Sequence, residues 1–213
     1  MTKFPASLLQ GYTAFKENKF ARESERYRKL AELGQTPDTL VIACCDSRAA
    51  PETVFNASPG EIFVIRNVAN IVPPYTPDKG YHSTSAALEF AIQSLKIRHI
   101  VVMGHGRCGG IKAALDPAAE PLSPGDFIGK WMDQLGAVAE EISTRPDLTG
   151  FERQTALEQV SIGHSLDNLR SFPCVSILEE RRRLHLHGAW FDIASGELWI
   201  RDPATGEFFP ALS

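Results

Sequence analysis

Two short stretches hold the residues with the most chemical capacity. ACCDSRAAPE carries Cys44, Asp46 and Arg48 at spacings of two, and MGHGRCGG carries His105 and Cys108 three apart. Two thiols and an imidazole are a soft ligand set that favours zinc. Three ligands rather than four leave a position open for water, the mark of a catalytic site. A structural zinc would normally take four Cys or His ligands, and no fourth is evident near these stretches. Asp46 and Arg48 add a carboxylate and a guanidinium beside the first thiol, which a structural site has no use for.

These residues must be brought together by the elements that carry them. TLVIACC (39–45) is a short apolar run ending in polar groups, as expected of a buried parallel strand with function at its carboxyl end. EIFVIRNVAN (61–70) and HIVVMGHGRCGG (99–110) repeat the pattern. STSAALEFAIQSLK (83–96) has apolar residues at helical spacing, so strand and helix alternate, which predicts a parallel α/β sheet. Ligands in such sheets sit beyond the carboxyl ends of strands, where both motifs fall. Extended geometry puts Cys44, Asp46 and Arg48 on one side and Cys45 on the other. A helix starting near Arg107 would lower the Cys108 thiol pKa, and Gly109 and Gly110 would let backbone N–H groups approach its sulfur.

Further helices are expected over 124–143 and 149–171, and a terminal antiparallel hairpin over 184–192 and 197–202 around Ser195-Gly196. Residues 7–33 read as a charged helical arm lying against something other than the core. The fold class is thus α/β: a central, mostly parallel sheet flanked by helices, with an antiparallel edge hairpin and an N-terminal helical arm. No internal repeat is seen, and no linker divides the chain, so residues 1–213 are expected to be a single domain with 1–33 as its arm.

Composition narrows the function classes. The chain has 213 residues, 43% apolar and 23% charged, as a globular protein does. A net charge of −4 gives no electrostatic case for nucleic acid or an anionic membrane. No apolar run approaches the roughly 18 residues needed to cross a bilayer. The N-terminus lacks a signal-peptide core, so a cytoplasmic location is expected. Reducing conditions there favour metal binding or burial over disulfides. Cys45 and Cys174 are expected as small core residues. Arg181, Arg182 and Arg183 form the one basic run, read as a solvated helix end rather than a polyanion site. His185 and His187 share a strand face and are read as structural, while His82, His99 and His164 have no partner motif.

On these residues the chain resembles the β-class carbonic anhydrases. The resemblance rests on C-x-D-S-R at 44–48, H-x-x-C at 105–108, GEIFVIRNVANIVPPY (60–75), HGRCGGIKAAL (105–115) and HGAWFDIASGELWIRDPATGEF (187–208). It implies one Zn²⁺ per chain held by Cys44, His105 and Cys108, with Cys44 rather than Cys45 as the ligand. It implies the reaction CO2 + H2O ⇌ HCO3⁻ + H⁺, with CO2 and bicarbonate as partners. It makes Asp46 and Arg48 a catalytic dyad beside the metal. It implies self-association as a dimer or tetramer, with the N-terminal helices wrapping the partner.

Within the family, the resemblance is to the plant-like, open-site kind. Gln35 stands where that kind has a glutamine, and Phe63 and Val68 where it has CO2-pocket residues. Phe90 replaces an aromatic that is often Tyr, keeping an apolar wall but losing a hydroxyl. Closed-site members carry a tryptophan and a valine where this chain has Val41 and Ala49. Asp46 would be a fourth ligand only in a closed site. Two thiolates make this zinc a weaker acidifier than three imidazoles would, so activity is expected to rise through about pH 7–8.5. Related alternatives are a hydrolase of CS2 or COS on the same zinc set, a non-catalytic zinc protein, and a thiol-redox role for Cys44-Cys45. A zinc deaminase lacks support because H-x-E and P-C-x-x-C are both absent.

Overall fold

A computed structural model of the chain describes residues 4–116 and 118–212. Among them, six strands form one sheet: β1 (Thr39–Cys44), β2 (Ile62–Asn67), β3 (His99–His105), β4 (His185–Phe191), β5 (Leu198–Arg201) and β6 (Phe208–Pro210). Their order is β2-β1-β3-β4-β5-β6. The pairs β1–β2, β1–β3 and β3–β4 are parallel, and β5 and β6 follow antiparallel. The chain leaves β1 for β2 on one side and places β3 on the other. The carboxyl ends of β1 and β3 therefore flank a topological switch point, the crevice where α/β sheets bind ligands.

The helices in chain order are α1 (Ala6–Ala14), α2 (Ala21–Leu33), α3 (Pro51–Val54), α4 (Ser83–Glu89), α5 (Gly109–Ala114), α6 (Phe127–Met132), α7 (Gly136–Ser143), α8 (Gly150–Arg170) and α9 (Pro173–Glu180). Strands β1 and β3 are apolar on both faces because both are covered. Leu40, Ile42, Ile100 and Val102 enter the main core with α4, α8 and α9. Val41, Ala43, Met103 and Ala189 form a smaller cluster on the other face. A third cluster joins Cys44 and Cys108 to Ile71, Ile111, Met132 and Leu135.

Helix α8 opens on a capping box, in which Thr149 and Glu152 satisfy each other's backbone N–H. It then lies along the sheet close to β3 and β4. A Cβ at Gly104 would meet Ile162 Cδ1 at 2.8 Å, and one at Gly188 would meet Ile162 Cγ2 at 2.9 Å. The two glycines make the slot in which Ile162 seats. That close approach brings the buried stripe of α8, which includes Glu158, Ser161 and Ser165, against the carboxyl ends of the strands.

The structure corrects several expectations of detail. The arm is helical over 6–33 but widens into a π-type segment at Phe15–Phe20. None of its described residues is buried. The helix expected over 124–143 is α6 and α7 joined by a tight turn at Asp133–Leu135. The terminal hairpin is a three-stranded meander. Its two turns share one design, D-x-x-x-G-E at 192–197 and 202–207, each closed by a pair of backbone hydrogen bonds between Asp and the Gly-Glu pair. This short repeat escapes a search for long periods. Arg181, Arg182 and Arg183 follow α9 and are exposed. Among the described residues, no helix is long and apolar enough to cross a membrane.

Candidate metal centre

β1 ends at Cys44 and β3 ends at His105, side by side. Past β3 the chain turns sharply at Arg107, whose φ is +61°. Cys108 then caps α5 with an extended ψ of 124°. The helix thus begins at Gly109, two residues later than the sequence suggested. These turns bring one donor atom each from Cys44, His105 and Cys108 to within 4.8 Å of one another, all buried. Gly110 matters to this turn: a Cβ there would meet Val68 Cγ1 at 2.9 Å.

The donor chemistry fits a divalent cation. The carbonyl of Gly106 lies 2.9 Å from His105 Nδ1 and fixes the proton on that nitrogen. Nε2 is left buried without a hydrogen-bond partner among the described residues, an orphaned lone pair that a metal would satisfy. The Cys44 thiol pKa is lowered, first by the Cys108 thiol beside it and then, against the cost of burial, by His105 and the amides of Asp46 and Ala69. Ala69 adopts φ +61°, which aims its N–H at Cys44 Sγ over 3.4 Å. Cys108 is pushed up, first by the Cys44 thiolate and then by burial. Burial opposes charge on His105, but Cys44, the Gly106 carbonyl and Asp46 outweigh it and raise its pKa. A cation would meet the Cys44 thiolate and the His105 Nε2 lone pair ready to ligate, and would displace the proton that Cys108 holds.

Asp46 borders this centre, with Oδ2 3.9 Å from His105 Nε2. Arg48 grips it twice, Nε to Oδ1 at 2.9 Å and Nη2 to Oδ2 at 2.7 Å. The backbone N–H of Arg48 adds a third bond to Oδ1 at 3.0 Å. These bonds hold the Asp46 carboxyl far below the usual carboxylate range, with the Arg48 side chain the largest cause. Arg48 Nη2 also donates to the Arg107 carbonyl at 3.2 Å, tying the dyad to the Cys108 turn. Arg66, not singled out by the sequence, donates to the carbonyls of Cys44 at 2.9 Å and Asp46 at 2.7 Å. Val41 and Ala49 are both buried, so neither side chain reaches the crevice surface.

A carboxylate missed in the sequence supports the second motif. Glu158 on α8 is 2% exposed. Its Oε1 accepts the Cys108 backbone N–H at 2.9 Å and Gln154 Nε2 at 3.1 Å. Its Oε2 accepts Trp190 Nε1 at 3.1 Å. Burial raises its pKa, and the Cys108 amide, Trp190 and His105 pull the other way. The signal was present in the sequence: Glu158 falls four residues before Ile162 and eleven before Leu169, on the apolar stripe. Farther along α8, Ser165 accepts Val72 N–H at 3.2 Å and donates to the Asn70 carbonyl at 3.3 Å, holding the loop after β2.

The expected substrate residues divide. Val68 stays beside the centre, its carbonyl taken by Trp131 Nε1 at 2.8 Å. It lines, with Gly109, Gly110 and Met132, a cavity of about 560 Å³. Gln35 does not reach the centre of its own chain. It is exposed and precedes the amino end of β1, whereas Cys44 ends that strand. Phe63 pairs in register with Leu40, four residues short of Cys44, about 13 Å along the strand. Phe90 packs against Phe63 with the rings tilted and their centroids 5.9 Å apart, so it too lies away from the metal donors. Cys45 is exposed rather than in the core, because the buried strand ends before it, at Cys44. Cys174 is half-buried against the core.

Comparison with known proteins agrees with this architecture. A family model described as carbonic anhydrase matches residues 39–198. The chain is 39% identical over 200 residues to "Beta carbonic anhydrase 5, chloroplastic" of Arabidopsis thaliana, covering 92% of this chain and 64% of that protein. It therefore spans less than two thirds of that relative. The structure of the β-carbonic anhydrase CcaA matches with a TM-score of 0.88 and 30% identity, over 97% of this chain and 92% of that one. A structure from work on two tetrameric β-carbonic anhydrases of Sordaria macrospora gives a TM-score of 0.77 and 31% identity, over 91% and 94%. The chain belongs to the β-carbonic anhydrase family.

Proposed function

We propose that this protein catalyses the reversible hydration of CO2 to bicarbonate and a proton, with one Zn²⁺ per chain held by Cys44, His105 and Cys108. The observation that carries this reading is the convergence of those three buried donors beside an aspartate clamped by arginine. Zinc, when bound, supplies the acidification that turns water into a usable nucleophile near neutral pH.

The chain's own residues do the rest. Asp46 accepts a hydrogen bond from the nucleophile and so aims its lone pair at CO2. It can do this only while ionised, and Arg48 keeps it ionised. Because Arg48 occupies both carboxylate oxygens, Asp46 is held from becoming a fourth metal ligand. That supports an open site, as do Val41 and Ala49. CO2 is small and apolar and needs apolar walls more than polar contacts, which Val68 begins to provide.

A second copy of the chain completes the pocket in this reading. Gln35, Phe63 and Phe90 of the partner subunit would close over Val68, the amide of Gln35 serving as a hydrogen-bond partner for bicarbonate. Two facts support it. Those three residues lie away from the centre in their own chain. The arm also leaves Leu8, Leu9 and Tyr12 at 51–58% exposure, a largely uncovered apolar face. Relatives whose structures are tetrameric agree with self-association. Stopped-flow CO2 hydration, run beside assays of sulfide release from CS2 and COS, tests the substrate. Fast hydration with slow sulfide release is expected, and the reverse order would replace CO2 as the substrate.

A further inference from the structure

At the opposite end of the sheet, where β3 and β4 begin, lies a cleft of about 520 Å³ bordered by Lys96, Arg98, Arg182, Arg183, His99 and His185. We infer that this cleft binds a small, multiply charged oxyanion of the phosphate class. The inference is independent of the reading of the metal centre.

Three observations carry it. The first is charge. The chain is net negative, at −4. Yet four cations border this one cleft, and among the described residues no Asp or Glu lines it. Arg98 is neutralised by Asp38 through bonds of 2.6 and 2.7 Å. Among the described residues, Lys96, Arg182 and Arg183 have no ion-pair partner. Glu179, on the neighbouring helix α9, is already committed to Arg170. Low-dielectric walls concentrate such a field on whatever anion enters.

The second is backbone conformation. Of the described non-glycine residues with positive φ, only four are neither Asn nor Asp: Ala69, Lys96, Arg107 and Arg182. Ala69 and Arg107 shape the metal centre. Lys96, at φ +57°, and Arg182, at φ +54°, shape this cleft. Each follows the last turn of a helix, where glycine fits at least cost. A long cation there is a strained choice, and retained strain of this kind gathers at binding sites.

The third is the donor set. His99 and His185 stack at 5.3 Å, and His99 Nδ1 lies 3.1 Å from His187 Nε2. Three imidazoles invite comparison with a metal site, but the surrounding cations repel a divalent ion and attract an anion. Guanidinium forks and imidazole N–H groups are donors suited to phosphate oxygens.

The test is calorimetric titration of the zinc-loaded protein with inorganic pyrophosphate in chloride buffer, on wild type, Lys96→Gly, Arg182→Gly and Arg183→Ala. The expected result is one site per chain, weakened about tenfold or more by each substitution. The two glycine variants should keep or raise the melting temperature, since they relieve the left-handed strain, and CO2 hydration should be unchanged. A purely structural role for these cations would not separate affinity from stability in this way. Absence of binding, affinity unchanged in the variants, displacement of pyrophosphate by bicarbonate, or uptake of Ni²⁺ in place of pyrophosphate would each overturn the inference.

Discussion

Arg48 holds both carboxylate oxygens of Asp46, at 2.9 and 2.7 Å, while one of those oxygens lies 3.9 Å from the imidazole nitrogen of His105. A guanidinium thus stands between a carboxylate and its most obvious alternative use, as a metal ligand. Arg48 is exposed and contributes little to the core, so its removal should be read in catalysis. Arg48→Ala is expected to lower kcat by about 10- to 100-fold, the usual effect of losing a group that orients a metal-site residue. Zinc content should stay at one per chain. Turnover near that of wild type would remove Arg48 from the mechanism.

Glu158 should matter to metal retention through Cys108. In Glu158→Gln, Oε1 can still accept the Cys108 N–H, but the new amide N–H faces Trp190 Nε1, donor against donor. A buried donor is left unsatisfied, at about 2 kcal/mol. For a chain of this size that is a drop of about 4–8 °C in Tm. Zinc dissociation, followed with a chromogenic chelator, should speed up about 10-fold or more. Unchanged zinc release would confine Glu158 to a packing role.

The exposed apolar stripe of the arm gives a test of the two-chain pocket. Leu9→Glu with Tyr12→Glu places charges on a face that is solvated in the single chain and so should not unfold it. Sedimentation should shift to a smaller species, with CO2 hydration falling in step while zinc stays bound. A monomer that retains full activity would return the whole pocket to one chain.

His187 makes a prediction about acid stability. Burial lowers its pKa in the fold, and the charges of His99 and His185 add to the effect. In the unfolded chain it takes up a proton near pH 6.5. Above that pH neither state is protonated there, and His187 contributes nothing to pH dependence. Below it the unfolded state binds more protons, so stability declines as pH falls, until the folded protein is protonated too. His187→Gln should therefore flatten the fall of Tm between pH 6.5 and 5, measured in phosphate-free buffer. An unaltered slope would show that other groups set it.

Much of this was legible in the residues because the physics was local. The apolar runs before Cys44 and His105 demand parallel strands, and such strands end in a ligand crevice. H-x-x-C needs only a turn, which Arg107 supplies. Less local facts were hidden. The neighbourhood of β1 and β3 depends on a crossover, and the kink at Ala69 on packing around Gly110. Glu158 reaches Cys108 only because Ile162 seats between Gly104 and Gly188, on the neighbouring strands β3 and β4. Gln35, Phe63 and Phe90 could be named by resemblance, but their distance from the centre follows from strand register, which the sequence does not state. His99 looked isolated because its partners, His185 and His187, lie on a neighbouring strand far along the chain.

The most direct test of the central claim is stopped-flow CO2 hydration on metal-counted protein, before chelation, after it, and after adding zinc back. The expected result is one zinc per chain, hydration well above the buffer rate, loss of that activity with the metal, and its return in proportion to zinc rebound. Fully zinc-loaded, oligomeric protein that hydrates CO2 no faster than buffer would contradict it.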